Sequence, residues 1–186
     1  LRIRQSTEDG RLYRTYRVGI AKGEAYQEDY AFVTRGLLSL HHATSDSTYL
    51  QEAARLQSLA DSLFWDPAGS AYFFTSGSER LIVRRKDTFD SAIPSGNAEA
   101  VHNLLTLSER TGKGVYREKA GAILQRYADQ MKANPSGYNR MILGALRYLQ
   151  TEPGDDVTQE SQSVVTVTSE IERREAANTY VISVDV

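Results

Sequence analysis

The sequence predicts a mainly α fold, a partial α/α toroid of antiparallel helix hairpins, with a small β-hairpin insertion and a short C-terminal β segment. Three observations carry this. Apolar residues recur at helical spacing from Tyr30 to Leu149. One helix hairpin repeats in tandem at a fixed offset. The apolar period turns two-fold only beyond Ser163.

The first helix, 27–44, carries Tyr30, Val33, Leu37 and Leu40 at helical spacing, and Ala31, Phe32 and Leu38 widen its apolar surface until little stays polar. Such a helix is expected to be covered on several sides. The second, 48–65, opens on the capping-box-like pair Thr48 and Gln51; its stripe of Leu50, Ala53, Leu56, Ala60 and Leu63 lies opposite Glu52, Arg55 and Asp61. Leu37, Leu38, Leu40, Thr44, Tyr49 and Ala53 are matched, 67 positions on, by Leu104, Leu105, Leu107, Thr111, Tyr116 and Ala120. The copy predicts an inner helix at 97–111, ended by Gly112, and an outer one at 114–133 on Tyr116, Ala120, Ile123, Tyr127 and Met131. A fifth helix, 138–150, follows Pro135-Ser136-Gly137, which repeats the Pro94-Ser95-Gly96 opening the third; it is an inner helix without an outer mate.

About 30 residues separate the second and third helices, well beyond the ~2–8 usual between helices of a bundle. Tyr72–Thr75 and Leu81–Arg84 read as strands of a hairpin around Ser76-Gly77-Ser78, leading into Lys86-Asp87-Thr88-Phe89-Asp90. Beyond the toroid segment, 1–151, Glu152-Pro153-Gly154-Asp155-Asp156 begins an acidic linker, 152–162. From 163 to 186, Val165, Val167 and Ile171, then Tyr180, Ile182, Val184 and Val186, alternate as the start of a β domain or hairpin.

Among 186 residues, 22 Lys and Arg oppose 24 Asp and Glu, a net charge of -2. No basic footprint exists for nucleic acid or an anionic membrane. No apolar run long enough to span a bilayer occurs, and Leu1 to Thr7 lacks the order of a signal peptide. Zero cysteines exclude thiol nucleophiles, redox motifs and thiolate metal sites from this segment. His41, His42 and His102 have no partner at ligand spacing, so neither a metal nor a cofactor is expected.

At the 67-residue offset, Gln27-Glu28-Asp29-Tyr30-Ala31 falls on Pro94-Ser95-Gly96-Asn97-Ala98, so the starts of both inner helices face one rim. Helix N-termini offer free N–H groups and partial positive potential to a small polar ligand. Lys86, Asp87 and Asp90 arrive there from the long loop. Paired carboxylates suit acid and base work when unequal burial raises one pKa while the other group stays ionised. Asp29, Asp87 and Asp90 are thus the catalytic candidates, and Glu28, Tyr30, Lys86, Ser95 and Asn97 the substrate-binding ones. The plainer roles are helix capping for Glu28 and Asp29, turn formation for Asp87 and Asp90, and helix entry for Ser95-Gly96-Asn97.

Glu28-Asp29-Tyr30-Ala31-Phe32, Gly36-Leu37-Leu38, Leu63-Phe64-Trp65-Asp66, Phe73-Phe74-Thr75, Lys86-Asp87 and Asp90-Ser91-Ala92-Ile93-Pro94-Ser95-Gly96-Asn97 stand together in one order. In these motifs, from about Leu12 to Leu149, the chain resembles the YyaL-type (spermatogenesis-associated protein 20-like) thioredoxin-domain family. The resemblance implies a thioredoxin domain fused to a six-hairpin toroid of the glycosidase and N-acylglucosamine 2-epimerase type. This segment holds neither that cysteine-bearing domain nor the first half of the ring. The resemblance also places Glu28, Asp29, Lys86, Asp87, Asp90 and Asn97 where related sugar-processing toroids keep their sites.

Two functions follow as expectations. One is a hydrolase or epimerase-like activity on a carbohydrate or amino sugar, with Asp29, Asp87 or Asp90 as acid or base. The other is a non-catalytic module that binds a ligand or protein in the service of the absent thioredoxin domain. An open half-ring would leave Phe32, Val33, Leu104 and Ile142 partly uncovered, which predicts self-association of the segment.

Overall fold

The structure, a computed structural model, describes residues 10–77 and 83–150, and its framework is the two hairpins that the repeat predicts. Helix α1 spans Gln27–Thr44 and α2 Ser47–Phe64; α3 spans Gly96–Thr111 and α4 Gly114–Arg126. A short α5, Ala128–Ala133, and a 3-10 turn, Pro135–Gly137, lead into α6, Asn139–Gln150. Helices α1, α3 and α6 pack side by side as an inner row, with α2 and α4 laid against α1 and α3.

The turn ends of the two hairpins match atom for atom at the 67-residue offset. Ser45 and Gly112 both take the left-handed conformation, with φ of 59° and 69°. Their N–H groups donate to the carbonyls of His41 and Ser108, each at 2.8 Å. Thr44 and Thr111 turn their hydroxyls back to the carbonyls of Leu40 and Leu107. A left-handed residue satisfies the last carbonyls of a helix and reverses the chain in so few residues that the next helix must be antiparallel.

The core between the layers is made by Leu37, Leu56, Phe64, Leu104, Leu107 and Ile123, all buried. Each such side chain contributes ~1.5–3 kcal/mol by leaving water. Leu104, expected to be partly uncovered, is enclosed because α3 has an inner helix on either side as well as α4 behind it. Exposed apolar surface lies instead on α6, where Leu143, Leu146 and Leu149 are half or more open to solvent.

Three local expectations are corrected. Helix α2 is capped by Asp46, whose Oδ1 accepts from both Thr48 N and Thr48 Oγ1 at 2.8 Å, in place of the pair at Thr48 and Gln51. The predicted 114–133 helix kinks at Tyr127, although Tyr127 N and Met131 N still donate four residues back. In the long insertion, β3 (Trp65–Asp66) pairs with β4 (Ala71–Tyr72), so Tyr72 belongs to a hairpin that closes directly on the end of α2. Just past the other predicted arm, Phe74 N donates to the Arg85 carbonyl at 2.8 Å and the Arg85 guanidinium lies over the Phe74 ring. Residues 81 and 82 of that arm lie outside the described residues, as do the linker 152–162 and the β segment 163–186.

A hairpin that the sequence did not disclose precedes α1. Strands β1 (Tyr13–Arg17) and β2 (Ile20–Glu24) are joined by Val18-Gly19, both with positive φ. Such two-residue turns ordinarily use Asn-Gly or Asp-Gly, and a β-branched residue there gives no turn signal.

Candidate functional site

The starts of α1, α3 and α6 meet at one rim, and the contacts there are short. Gln27 Nε2 donates to the Gly96 carbonyl at 3.1 Å. A Cβ at Gly96 would overlap the Gln27 amide oxygen and stand 3.1 Å from the Glu28 Cα, so only glycine lets α1 and α3 approach this closely. That amide oxygen is buried without a hydrogen-bond partner among the described residues. Asp90 joins the other two starts: Oδ1 accepts from Ser95 N at 2.9 Å and Oδ2 from Arg140 N at 2.7 Å. One carboxylate therefore caps two helices, which charge and dipole both favour.

Most of the residues singled out by sequence are tied into this framework. Asp29 accepts from Tyr26 N at 2.8 Å, closing the first turn of α1, and from Arg14 Nη1 at 3.0 Å. Glu28 shares the same Arg14 nitrogen at 3.2 Å. Ser95 is the N-cap of α3, its hydroxyl accepting from Ala98 N. Lys86 is paired with Asp66 at 2.6 Å and stands over the Phe73 ring. Asn97, only 1% exposed, accepts from Tyr72 N and donates to the carbonyls of Tyr72 and Asp87. Buried Tyr30 accepts from Leu12 N at 3.0 Å and lies edge-on to Phe64.

Asp87 differs from these. Its backbone carbonyl is held by Asn97, but its carboxylate has no hydrogen-bond partner among the described residues. Burial pushes that carboxyl above the usual carboxylate range; Arg85 offsets part of the rise and Asp90 adds to it. Asp87 and Asp90 are thus close enough to interact, Asp90 fixed by backbone donors and Asp87 left half-buried. Asp29, tied to Arg14 and Tyr26, is not among the charges that act on Asp87.

A second set of charged groups on the inner row escaped the sequence. Glu99, one turn into α3 and fully buried, accepts from Arg35 Nη1 of α1 and from Arg140 Nε of α6, both at 2.7 Å, and from Arg140 Nη2 at 3.2 Å. Neighbouring His102 donates from Nε2 to the Arg140 carbonyl at 2.9 Å. Burial lowers its proton affinity; the hydrogen bond to the Arg140 carbonyl and the charge of Glu99 oppose this, and the charges of Arg140 and Arg147 add to it. No motif announces this group, because its members stand 41 and 64 positions apart.

Two cavities flank the β1–β2 hairpin. One, of about 330 Å³, is lined by Arg14, Thr15, Lys22, Glu24, Tyr26 and Ser76. The other, of about 160 Å³, reaches Tyr30 and Phe64. Among the described residues, no group of His, Asp or Glu is arranged to hold a metal ion, and no helix is long and apolar enough to cross a membrane.

Comparison with known proteins finds mammalian relatives. The chain is 40% identical over 119 residues to spermatogenesis-associated protein 20 of Mus musculus, covering 63% of this chain and 15% of that protein. It is 39% identical over 144 residues to the Rattus norvegicus protein of the same name, covering 72% of this chain and 18% of that one. An uncharacterized protein of Caenorhabditis elegans is 30% identical over 151 residues, covering 76% of this chain and 20% of its own length. The chain therefore spans a fifth or less of these relatives. No family model matches it.

Proposed function

We propose, for a chain that belongs to the spermatogenesis-associated protein 20-like family, that the rim formed by the starts of α1, α3 and α6 binds a small polar ligand of the carbohydrate or amino-sugar class, with Asp87 exchanging the proton. The helices are read as part of an α/α toroid, and a thioredoxin domain belongs to the longer protein in this reading. The observation that supports it most is the Asp87 carboxyl, half-buried beside Asp90 and with no hydrogen-bond partner among the described residues. A carboxyl with raised proton affinity can hold and deliver a proton nearer neutrality than an ordinary one. Asp90 cannot share that work without releasing the starts of two helices. Any second catalytic group is then supplied by parts of the protein beyond this chain.

The alternative is a non-catalytic ligand- or protein-binding module. It is favoured by the engagement of Asp29, Asp90, Lys86 and Asn97 in structural bonds, which leaves one free carboxyl where a glycosidase of either stereochemistry uses two. The exposed leucines of α6 suit self-association in either case.

The test is turnover of a panel of sugars and amino sugars by the full-length protein and its Asp87→Asn variant. The catalytic reading expects retained binding and turnover lower by ~10²–10⁴-fold, the usual worth of a positioned acid or base. Unchanged turnover would remove Asp87 from the chemistry. Binding without turnover by the unaltered protein would select the module.

A further inference from the structure

We infer that the ligand of this rim carries an anionic group, a carboxylate or a phosphate, and that Arg35 and Arg140 receive it. The inference rests on the proposed reading of the rim as a polar-ligand site and adds the charge of the ligand to it.

The argument starts from a charge count. Glu99 is a single, fully enclosed carboxylate, and two guanidiniums close on it from the helices on either side. One arginine suffices to pair a carboxylate; a second leaves one positive charge in excess. The nearby Arg147 leaves this count unchanged, because it is paired with Glu109. The other fixed negative groups at the rim are engaged elsewhere, Asp90 by two backbone donors at helix starts and Glu28 and Asp29 by Arg14. Burial makes Asp87 readier than an ordinary carboxyl to be neutral, which lessens its repulsion of an incoming anion.

Geometry gives the excess charge an outlet. Side chains on a helix lean toward its N-terminus, so Arg35, two turns into α1, reaches back toward the rim to meet Glu99. Its side chain is 47% exposed, and its Nε and Nη2 donors have no partner among the described residues. Arg140 spends Nε and Nη2 on Glu99 and keeps Nη1. Its backbone N–H is held by Asp90, so the start of α6 that carries this arginine lies at the rim. Guanidinium forks match carboxylate and phosphate oxygens two at a time.

The competing role for the three residues is an interhelical lock without a ligand, and titration calorimetry on the full-length protein separates the two. Glucose, glucuronate, glucose 6-phosphate and inorganic phosphate are the probes. The acidic sugars are expected to bind at least about tenfold more tightly than glucose and to weaken as salt is raised. Arg35→Gln is expected to abolish that preference, and Arg35→Lys to keep part of it. Because Arg35 is half exposed, both variants should fold, which circular dichroism checks. Equal binding of glucose and glucuronate overturns this inference and leaves the sugar reading standing. Phosphate bound through Arg35 with no sugar bound does the reverse. Binding of none of the four overturns both. An Arg35→Gln variant that loses stability yet keeps the anion preference assigns the triad to the lock alone.

Discussion

The two hairpins are alike at one end and different at the other. At the turns, Ser45 and Gly112 occupy the same left-handed position with the same bonds behind them. At the rim, α1 begins on a Tyr26–Asp29 cap held by Arg14, whereas α3 begins on Ser95 with Asp90 reaching across to α6. A turn only has to reverse the chain, so one solution serves every copy. The starts face shared space and take on separate tasks, and the polar residues that differ between copies collect there.

The largest expected effect is at the rim. Asn97→Ala would strand Tyr72 N–H and the carbonyls of Tyr72 and Asp87, and at ~1–3 kcal/mol per buried unsatisfied group a loss of about 3 kcal/mol is expected in urea unfolding. A loss below about 1 kcal/mol would mean that water replaces the amide without penalty. Next, Gly96→Ala forces α1 and α3 apart and is expected to cost about 2 kcal/mol, within the ~1–3 of overpacking. At the turn end, Gly114→Ala meets no atom within 4 Å and should be neutral or slightly stabilising. Equal costs at both glycines would erase the contrast between the ends.

A smaller effect tests the likeness of the turns. Ser45→Gly removes a strained left-handed residue and should stabilise by about 0.5–1 kcal/mol, while Gly112→Ser should cost ~1–2 kcal/mol. Thermal unfolding with both changes of the same sign would show that the two turns are not equivalent.

The smallest effect is on pH dependence. Folding raises the proton affinity of Asp87, so its contribution stabilises the native state below the ordinary carboxylate range and is lost as pH rises through the raised native value. The stability of the unaltered protein relative to Asp87→Asn should therefore fall as pH rises through and above the ordinary carboxylate range. A difference that stays flat, or grows with pH, would show that the Asp87 carboxyl is not desolvated.

The helices were legible because each carries its own signal: apolar spacing sets the length, Ser95 and Gly112 mark the ends of α3, and the 67-residue offset declares the antiparallel pairing. The first hairpin was silent because Val18-Gly19 is an atypical turn. The insertion was misregistered because Tyr72 pairs with Trp65, across a boundary that the helical period of α2 runs straight up to. At the site, the meeting of the helix starts followed from the repeat, but the work of each residue did not. Asp29, Asp87 and Asp90 are the same residue type beside helix starts, and nothing local separates a cap, a free acid and a bridge.

What the sequence by itself determined is therefore the helix hairpins, their order and the rim on which their starts converge, since propensity, capping and period act over neighbouring residues. Only the tertiary structure decided that Asp90 spans α3 and α6, that the Asp87 carboxylate has no hydrogen-bond partner among the described residues, and that Arg35 and Arg140 close on Glu99. Those facts depend on burial and on distances between residues far apart in the chain. A carboxylate becomes a cap, an acid or a buried ion-pair partner according to which donors the packed helices bring within 3 Å or so of it and how much water they leave.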